Sequence, residues 1–225
     1  MYKSTDALFV STDSVLLADF AAPFAKGRGL DMGCGSGLLS IILAYDLPEL
    51  YMDGVEIEAR AAELARSNVQ KNGLSDRIRK ICADLRTLRE TDVGGKYDFI
   101  VSNPPYFPPG SGTVSEDPQK AAAKSESLCT LRELAESAAR LLGTGGRLFM
   151  VHKPERLSEI FRMMSESSLE PKRLRLVEAR PGAAPSLALM ELRRGGRPGL
   201  VIEPALRLKD ENGAESAEYR KIYRL

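Results

Sequence analysis

Asp31-Met32-Gly33-Cys34-Gly35-Ser36-Gly37 opens inside a short run, residues 29–32, and leads into an apolar run, residues 38–44. The first run is short enough for a buried strand, and the second reads as the opening of an apolar helix. Three glycines at alternate positions let the backbone turn tightly and come close to a ligand. A strand, a glycine turn and a helix in that order begin a βαβ unit, so the segment predicts an open α/β sheet with a ligand at the strand's carboxyl end. The spacing also restricts the ligand. The dinucleotide fingerprint G-x-G-x-x-G would need glycine at position 38, but Leu38 stands there and the third glycine comes one residue early. The loop therefore disfavours a pyrophosphate and favours S-adenosylmethionine.

On either side of this segment, strands and helices alternate. Upstream, Thr12 or Asp13 is placed to cap a helix whose apolar positions, Val15, Leu16, Leu17, Phe20 and Ala21, fall at helical spacing. Strands are expected at 29–32, 51–56, 78–83, 97–102 and 147–152, with amphipathic helices between most of them. Two further strand-like runs, 173–178 and 186–192, are separated by the turn residues Arg180-Pro181-Gly182 and lie too close for a helical crossover. They predict an antiparallel hairpin. The expected whole is one domain over 1–225, with a helical lead-in at 1–27, a long Pro-, Gly- and Ser-rich substrate loop at 107–127 and a C-terminal extension at 198–225.

Strand ends carry the candidate chemistry. Glu56 closes the second strand about 20 residues after the glycine loop, where a carboxylate can accept both hydroxyl hydrogens of a ribose. Asp84 closes the third, where a short acid can accept from the amino group of the cofactor's adenine. The fourth runs into Asn103-Pro104-Pro105-Tyr106. An exocyclic amino group on a ring has its lone pair delocalised, so attack on a methyl group requires that nitrogen to pyramidalise. The Asn103 side-chain oxygen and the Pro104 carbonyl can each accept one amino hydrogen and aim the lone pair. Pro105 stiffens the turn, and Tyr106 offers a face on which a splayed base can stack. The proton can leave after transfer, so His152 is read as structural or pocket-lining rather than catalytic.

Composition narrows the class. Lys and Arg number 32 against 31 Asp and Glu, for a net charge of +1, which gives no overall footprint for a polyanion. The positive surplus is C-terminal, where Lys172, Arg173, Arg175, Arg180, Arg193, Arg194 and Arg197 face only Glu178 and Glu191 in the same window. That cluster is a candidate RNA-facing patch. Cys34, Cys82 and Cys129 form no CxxC pair, and one histidine is too few for a zinc site, so reduced thiols and no metal are expected. Residues 1–10 lack the pattern of a leader peptide, and no run approaches a membrane span. A cytoplasmic protein with no membrane partner is the expectation.

With these residues in view, the sequence resembles the bacterial tRNA adenine-N6 methyltransferases that modify adenine 37, beside the anticodon, in a valine tRNA. DMGCGSG at 31, VEIE at 55, Asp84 and NPPYF at 103 carry the likeness, and STDSVLLADF at 11, VHKPERL at 151, EPKRLRLVEARPG at 170 and GGRPGL at 195 extend it over nearly the whole chain. The resemblance implies a Rossmann-like methyltransferase fold, a seven-stranded, mostly parallel sheet with its antiparallel hairpin at strands 6 and 7. It also implies S-adenosylmethionine held by Asp31, Gly33, Gly35, Gly37, Glu56 and Asp84, with Asn103, Pro104, Pro105 and Tyr106 at the acceptor and tRNA as substrate. The chain departs from the family at Ala123-Lys124-Ser125-Glu126, where Ala-Arg-His-Glu is expected. Release-factor glutamine methylation uses the same Asn-Pro-Pro-Tyr logic but comes with a sizeable helical domain ahead of a glycine loop that here follows only about 30 residues. Guanine-N2 methylation of ribosomal RNA is compatible with the tetrapeptide. A cofactor-binding module without catalysis would be expected to lose Asn103 or Tyr106. Calorimetry should therefore show binding of S-adenosylmethionine and its demethylated product and none of NAD; the reverse pattern would overturn the cofactor assignment.

Overall fold

The computed structural model describes residues 11–106 and 129–225; the readings placed at 1–10, 107–127 and 123–126 lie outside these. Helix α1 (Thr12–Ala21) leads into β1 (Arg28–Met32), α2 (Leu38–Asp46), β2 (Tyr51–Glu56), α3 (Ala59–Lys71), β3 (Ile78–Cys82), the one-turn α4 (Glu90–Val93) and β4 (Tyr97–Ser102). After residue 129 come α5 (Leu131–Leu141), β5 (Leu142–His152), α6 (Leu157–Glu166), β6 (Leu169–Glu178), β7 (Pro185–Arg194), two-residue strands β8 (Val201–Ile202) and β9 (Leu206–Arg207), and α7 (Ala217–Tyr223).

The sheet runs β3-β2-β1-β4-β5-β7-β6-β8, with β9 also on β6. Strands β1 to β5 are mutually parallel, and β7 lies antiparallel between β5 and β6. This is a Rossmann-like methyltransferase sheet, hairpin included. Side chains of β4 and β5 alternate between two buried faces. Phe99, Val101, Phe149 and Val151 pack under α1 and α2, while Tyr97, Ile100, Leu148 and Met150 pack under α5 and α6. A strand covered on both sides reads as a continuous apolar run, which is why Phe99-Ile100-Val101 and Leu148-Phe149-Met150-Val151 carry no polar alternation. Helix α2 is apolar for the same reason, with every residue from Leu38 to Ala44 buried.

Three expectations are corrected. The sheet has nine strands among the described residues rather than seven, because the 198–225 extension folds back along β6. Glu203 N–H donates to Leu174 O and Leu208 N–H to Glu178 O, so the outer strand of the hairpin is not left as a bare edge. Ser11, not Thr12 or Asp13, is the N-cap of α1, and it makes no side-chain cap bond; Asp13 is drawn to a tertiary partner instead. Strand β3 stops at Cys82, which leaves Asp84 in the loop beyond it.

The sheet's amino edge is tied at Asp53, whose carboxylate accepts from Arg28 Nη2 at 2.7 Å, from Arg79 Nε and Nη2 at 2.8 Å each, and from Tyr97 Oη at 2.6 Å. One side chain thus joins β2 to β1, β3 and β4. Burial alone would raise its pKa, but the hydrogen bonds from Arg79, Tyr97 and Arg28 outweigh it and hold the carboxyl below its usual value. Asp53→Ala should lower the unfolding free energy by about 2 kcal/mol, less than a fully buried pair because Arg28 and Arg79 are 30% and 55% exposed. The Asp53 contribution is complete above the unfolded carboxyl's pKa of about 4 and is lost as pH falls through the lowered folded value. Urea unfolding should show the gap between wild type and variant narrowing from pH 7 to pH 3; a gap independent of pH would contradict this.

Candidate active site

The sheet order reverses between β1 and β4, and the carboxyl ends of β1, β2 and β4 meet there, where open α/β sheets take their ligands. The glycine loop leaves β1 with Gly33 N–H and Cys34 N–H both donating to Val55 O at 3.0 Å. Gly33, Gly35 and Gly37 all have positive φ, a backbone state costly for other residues. A Cβ built on Gly33 or Gly35 would meet no atom within 4 Å, so that side of the loop faces open space. At Gly37 it would come within 3.3 Å of Ala65 and Lys80. Gly37 therefore serves the turn and its packing, and it lines neither hollow described below.

Beneath the loop, Asp31 Oδ2 accepts from Ser40 Oγ at 2.5 Å and from Ser40 N–H at 3.1 Å. Lys80 Nζ donates to the same hydroxyl at 2.9 Å. Its side chain crosses β2 at Gly54, where a Cβ would lie 2.3 Å from Nζ. Burial pushes the Asp31 carboxyl above the usual range, and Lys80 and Ser40 oppose the shift. From α3, Asn68 Nδ2 holds Ser36 O at 2.9 Å. Glu56 completes the frame, accepting from Gly35 N–H at 2.9 Å and Glu58 N–H at 3.1 Å. A carboxylate has about four acceptor positions, so two remain, the number a ribose diol can fill.

Two hollows meet at Gly33. One, of about 260 Å³, is lined by Glu56, Asp84, Pro104, Pro105 and Leu134 among others. The other, of about 170 Å³, is lined by Ser14, Asp31, Gly35 and Asn103 among others. The expected cofactor residues and the acceptor turn are thus brought together, apart from Gly37 and Tyr106. Asp84 is already engaged by Arg86 through its Nε and Nη2, and that hydrogen-bonded guanidinium holds the Asp84 carboxyl below its usual range. Tyr106 lines neither hollow. Its ring lies 5.2 Å from that of His152, edge to face, with Lys153 Nζ 5.2 Å from the Tyr106 centroid, and its hydroxyl donates to Asp13.

His152 is fully buried, and its Nδ1 accepts from Lys153 N–H at 2.7 Å. Burial, followed by the nearby Arg156 charge, lowers its pKa to about 4, and a neutral ring packed behind Tyr106 suits a structural role. Part of the C-terminal basic cluster is paired with carboxylates within the fold. Arg173 pairs with Glu191 and Glu203, and Arg175 with Glu218. Arg193 and Arg194 donate to the carbonyls of Gly145 and Leu142. Pairing of His152 with Ala188 and of Arg147 with Arg193 puts Arg193 and Arg194 at the sheet end away from the site. A cavity of about 430 Å³ at that end is lined by Arg28, Asp53 and Arg79 among others, three residues already bonded to one another.

Sequence reasoning missed Asp13, Ser14, Ser40, Asn68, Lys80 and Arg86 as parts of the site. Only Lys80 left a trace, as a lysine in a strand beside a strand glycine, a pairing that marks close approach.

Fold and site together define an S-adenosylmethionine-dependent N-methyltransferase. The model of the methyltransferase small domain family matches residues 9–167, and the chain belongs to that family. It is 35% identical over 193 residues to a tRNA1(Val) (adenine(37)-N6)-methyltransferase of Porphyromonas gingivalis, covering 83% of this chain and 75% of that one. It is 34% identical over 224 residues to the protein of the same name in Dickeya chrysanthemi, covering 97% and 87%. In fold it is similar to a predicted O-methyltransferase from Agrobacterium tumefaciens, with a TM-score of 0.76 at 20% identity over 95% and 96% of the two chains. Geranyl diphosphate C-methyltransferase from Streptomyces coelicolor, solved with S-adenosyl-L-homocysteine, gives a TM-score of 0.56 at 14% identity over 80% and 77%. Among the described residues no helix is long and apolar enough to cross a membrane.

Glu56→Ala should weaken binding of S-adenosyl-L-homocysteine by about 1 to 3 kcal/mol, the cost of unmet hydrogen bonds to a buried diol. Isothermal titration checks this, and an unchanged affinity would place the ribose elsewhere.

Proposed function

We propose that the chain transfers the methyl group of S-adenosylmethionine to the exocyclic N6 of an adenine in tRNA, at position 37 of the anticodon loop. The observation that carries the reading is the placement of Asn103 in one hollow with Gly33 and Gly35, at the carboxyl end of β4. An amide that close to the glycine loop can orient an amino nitrogen toward a bound donor. The adenine and the tRNA are supported by the names of the relatives that match most of the chain.

In this reading Asp31, Gly33, Gly35, Gly37, Glu56 and Asp84 serve the cofactor. Asp31 and Gly37 act from beneath by shaping the loop, while Gly33, Gly35, Glu56 and Asp84 face it. The cofactor supplies an electrophilic sulfonium methyl. Asn103 Oδ1 and the Pro104 carbonyl each accept one amino hydrogen, which favours the pyramidal nitrogen and directs its lone pair. Pro105 keeps the turn rigid, and Tyr106 backs the acceptor with its ring. No residue need remove a proton before transfer, which agrees with a neutral His152 held away from both hollows. The chain acts as one methyltransferase domain in the cytoplasm, with 107–127 as its substrate loop and 198–225 bracing the hairpin.

Asn103→Ala is expected to reduce single-turnover methyl transfer to unmodified tRNA by about two orders of magnitude or more, as when one transition-state hydrogen-bonding group is removed. Cofactor affinity should scarcely change. Digestion to nucleosides identifies the product: N6-methyladenine made near the wild-type rate would sink the mechanism, and labelled guanine would keep the mechanism but replace the substrate.

A further inference from the structure

Asn103 works through one atom, its side-chain oxygen, and that atom has a competitor inside the protein. Tyr106 Oη lies 3.3 Å from Asn103 Oδ1, within reach to donate its hydrogen there. A phenol carries one hydrogen. Turned toward Asn103, it would occupy acceptor capacity needed for the substrate amino group. The Asp13 carboxylate, in the first turn of α1, accepts from the same hydroxyl. Charge-assisted hydrogen bonds to a carboxylate are the stronger kind, so the hydrogen belongs on Asp13. Burial, followed by the bond to Asp13, raises the Tyr106 pKa, so the hydroxyl keeps its hydrogen at working pH. From the next position of the helix, buried Ser14 receives Asn103 Nδ2–H on its Oγ at 3.1 Å. The amide is thereby held with its nitrogen toward α1, and among the described residues only Tyr106 Oη approaches Oδ1 as a donor.

We infer that Asp13 is a positioning residue for methyl transfer: it takes the Tyr106 hydroxyl hydrogen and so leaves Asn103 Oδ1 free for a hydrogen of the acceptor amino group, while Ser14 fixes the orientation of the amide. This rests on the role given to Asn103 above. Aspartate at 13 is therefore not a helix cap displaced by chance. It joins the lead-in helix to a turn 90 residues later in the chain, and makes α1 part of the acceptor site.

The test is a double-mutant cycle on single-turnover transfer to unmodified tRNA, with wild type, Asp13→Ala, Tyr106→Phe, the double variant and Asn103→Ala, each also titrated with S-adenosyl-L-homocysteine. Asp13→Ala should slow transfer by about tenfold, the scale of one misdirected hydrogen bond, with cofactor affinity unchanged within about twofold. Tyr106→Phe added to Asp13→Ala removes the competing hydroxyl, so the double variant should be faster than Asp13→Ala alone. A contact that is merely structural would leave the double variant about as slow as Asp13→Ala, because both changes remove the same hydrogen bond. A double variant as slow as Asp13→Ala or slower, beside an inactive Asn103→Ala, overturns the role of Asp13 and leaves that of Asn103 standing. An Asn103→Ala enzyme with full activity overturns both. Should Asp13→Ala not hold the cofactor, Asp13→Asn takes its place in the cycle; its weaker acceptor gives a smaller loss, and Tyr106→Phe must again recover part of it.

Discussion

A carboxylate buried beneath the glycine loop has to be compensated, and much of the site follows from how this is done. Asp31 is 2% exposed and takes both donors of Ser40, at the start of α2. The positive charge comes from β3, two strands away, through Lys80, and it arrives only because Gly54 leaves β2 without a side chain at the crossing point. One polar chain thus sets the angle between β1 and α2, and with it the path of Gly33, Gly35 and Gly37. The solvation lost on burial is recovered only when every member is paired, so Asp31, Ser40, Lys80 and Gly54 form a single unit rather than four independent contacts.

From that fixed loop the remaining functional groups are placed by short links. Glu56 is registered to the loop by Gly35 N–H, and Ser36 is tied to α3 by Asn68. Ser102 Oγ donates to Met32 O at 2.9 Å, which sets the end of β4 against the end of β1 just before Asn103. Helix α1 closes the other side through Asp13 and Ser14. The two hollows share Gly33 as a common wall, and each brings strand-end carboxylates or loop glycines together with residues of the Asn-Pro-Pro turn.

The sequence was legible where local pattern and tertiary role coincide. The run Phe99-Ile100-Val101 is apolar because both faces of β4 are covered, and Arg180-Pro181-Gly182 turns β6 into β7 because both φ restriction and freedom are needed there. The glycine loop, Glu56 and Asn-Pro-Pro-Tyr stood out because each sits at a strand end, where open α/β sheets take their ligands. What could not be read depends on distance in the chain or on very short pairing. Val201–Ile202 and Leu206–Arg207 are too brief to carry a period, and they form strands only because β6 offers an edge. Asp13 has the composition of a helix cap, and its partner Tyr106 is far away in sequence. The arginines of 172–197 suggest a polyanion surface by composition, whereas most of them complete ion pairs or carbonyl contacts within the hairpin region. Counting charges in a window cannot show that Arg173 and Arg175 are paired with carboxylates.

The central claim is that the amino group methylated is N6 of adenine 37 in a valine tRNA. Its most direct test is nucleoside mass spectrometry on purified tRNAVal from a strain lacking this chain, beside the parent and a strain carrying the gene again. N6-methyladenosine should be present in the parent, absent from the deletion and restored on complementation, with the methylated fragment mapping to position 37. An unchanged N6-methyladenosine level in the tRNAVal of the deletion strain would contradict the account.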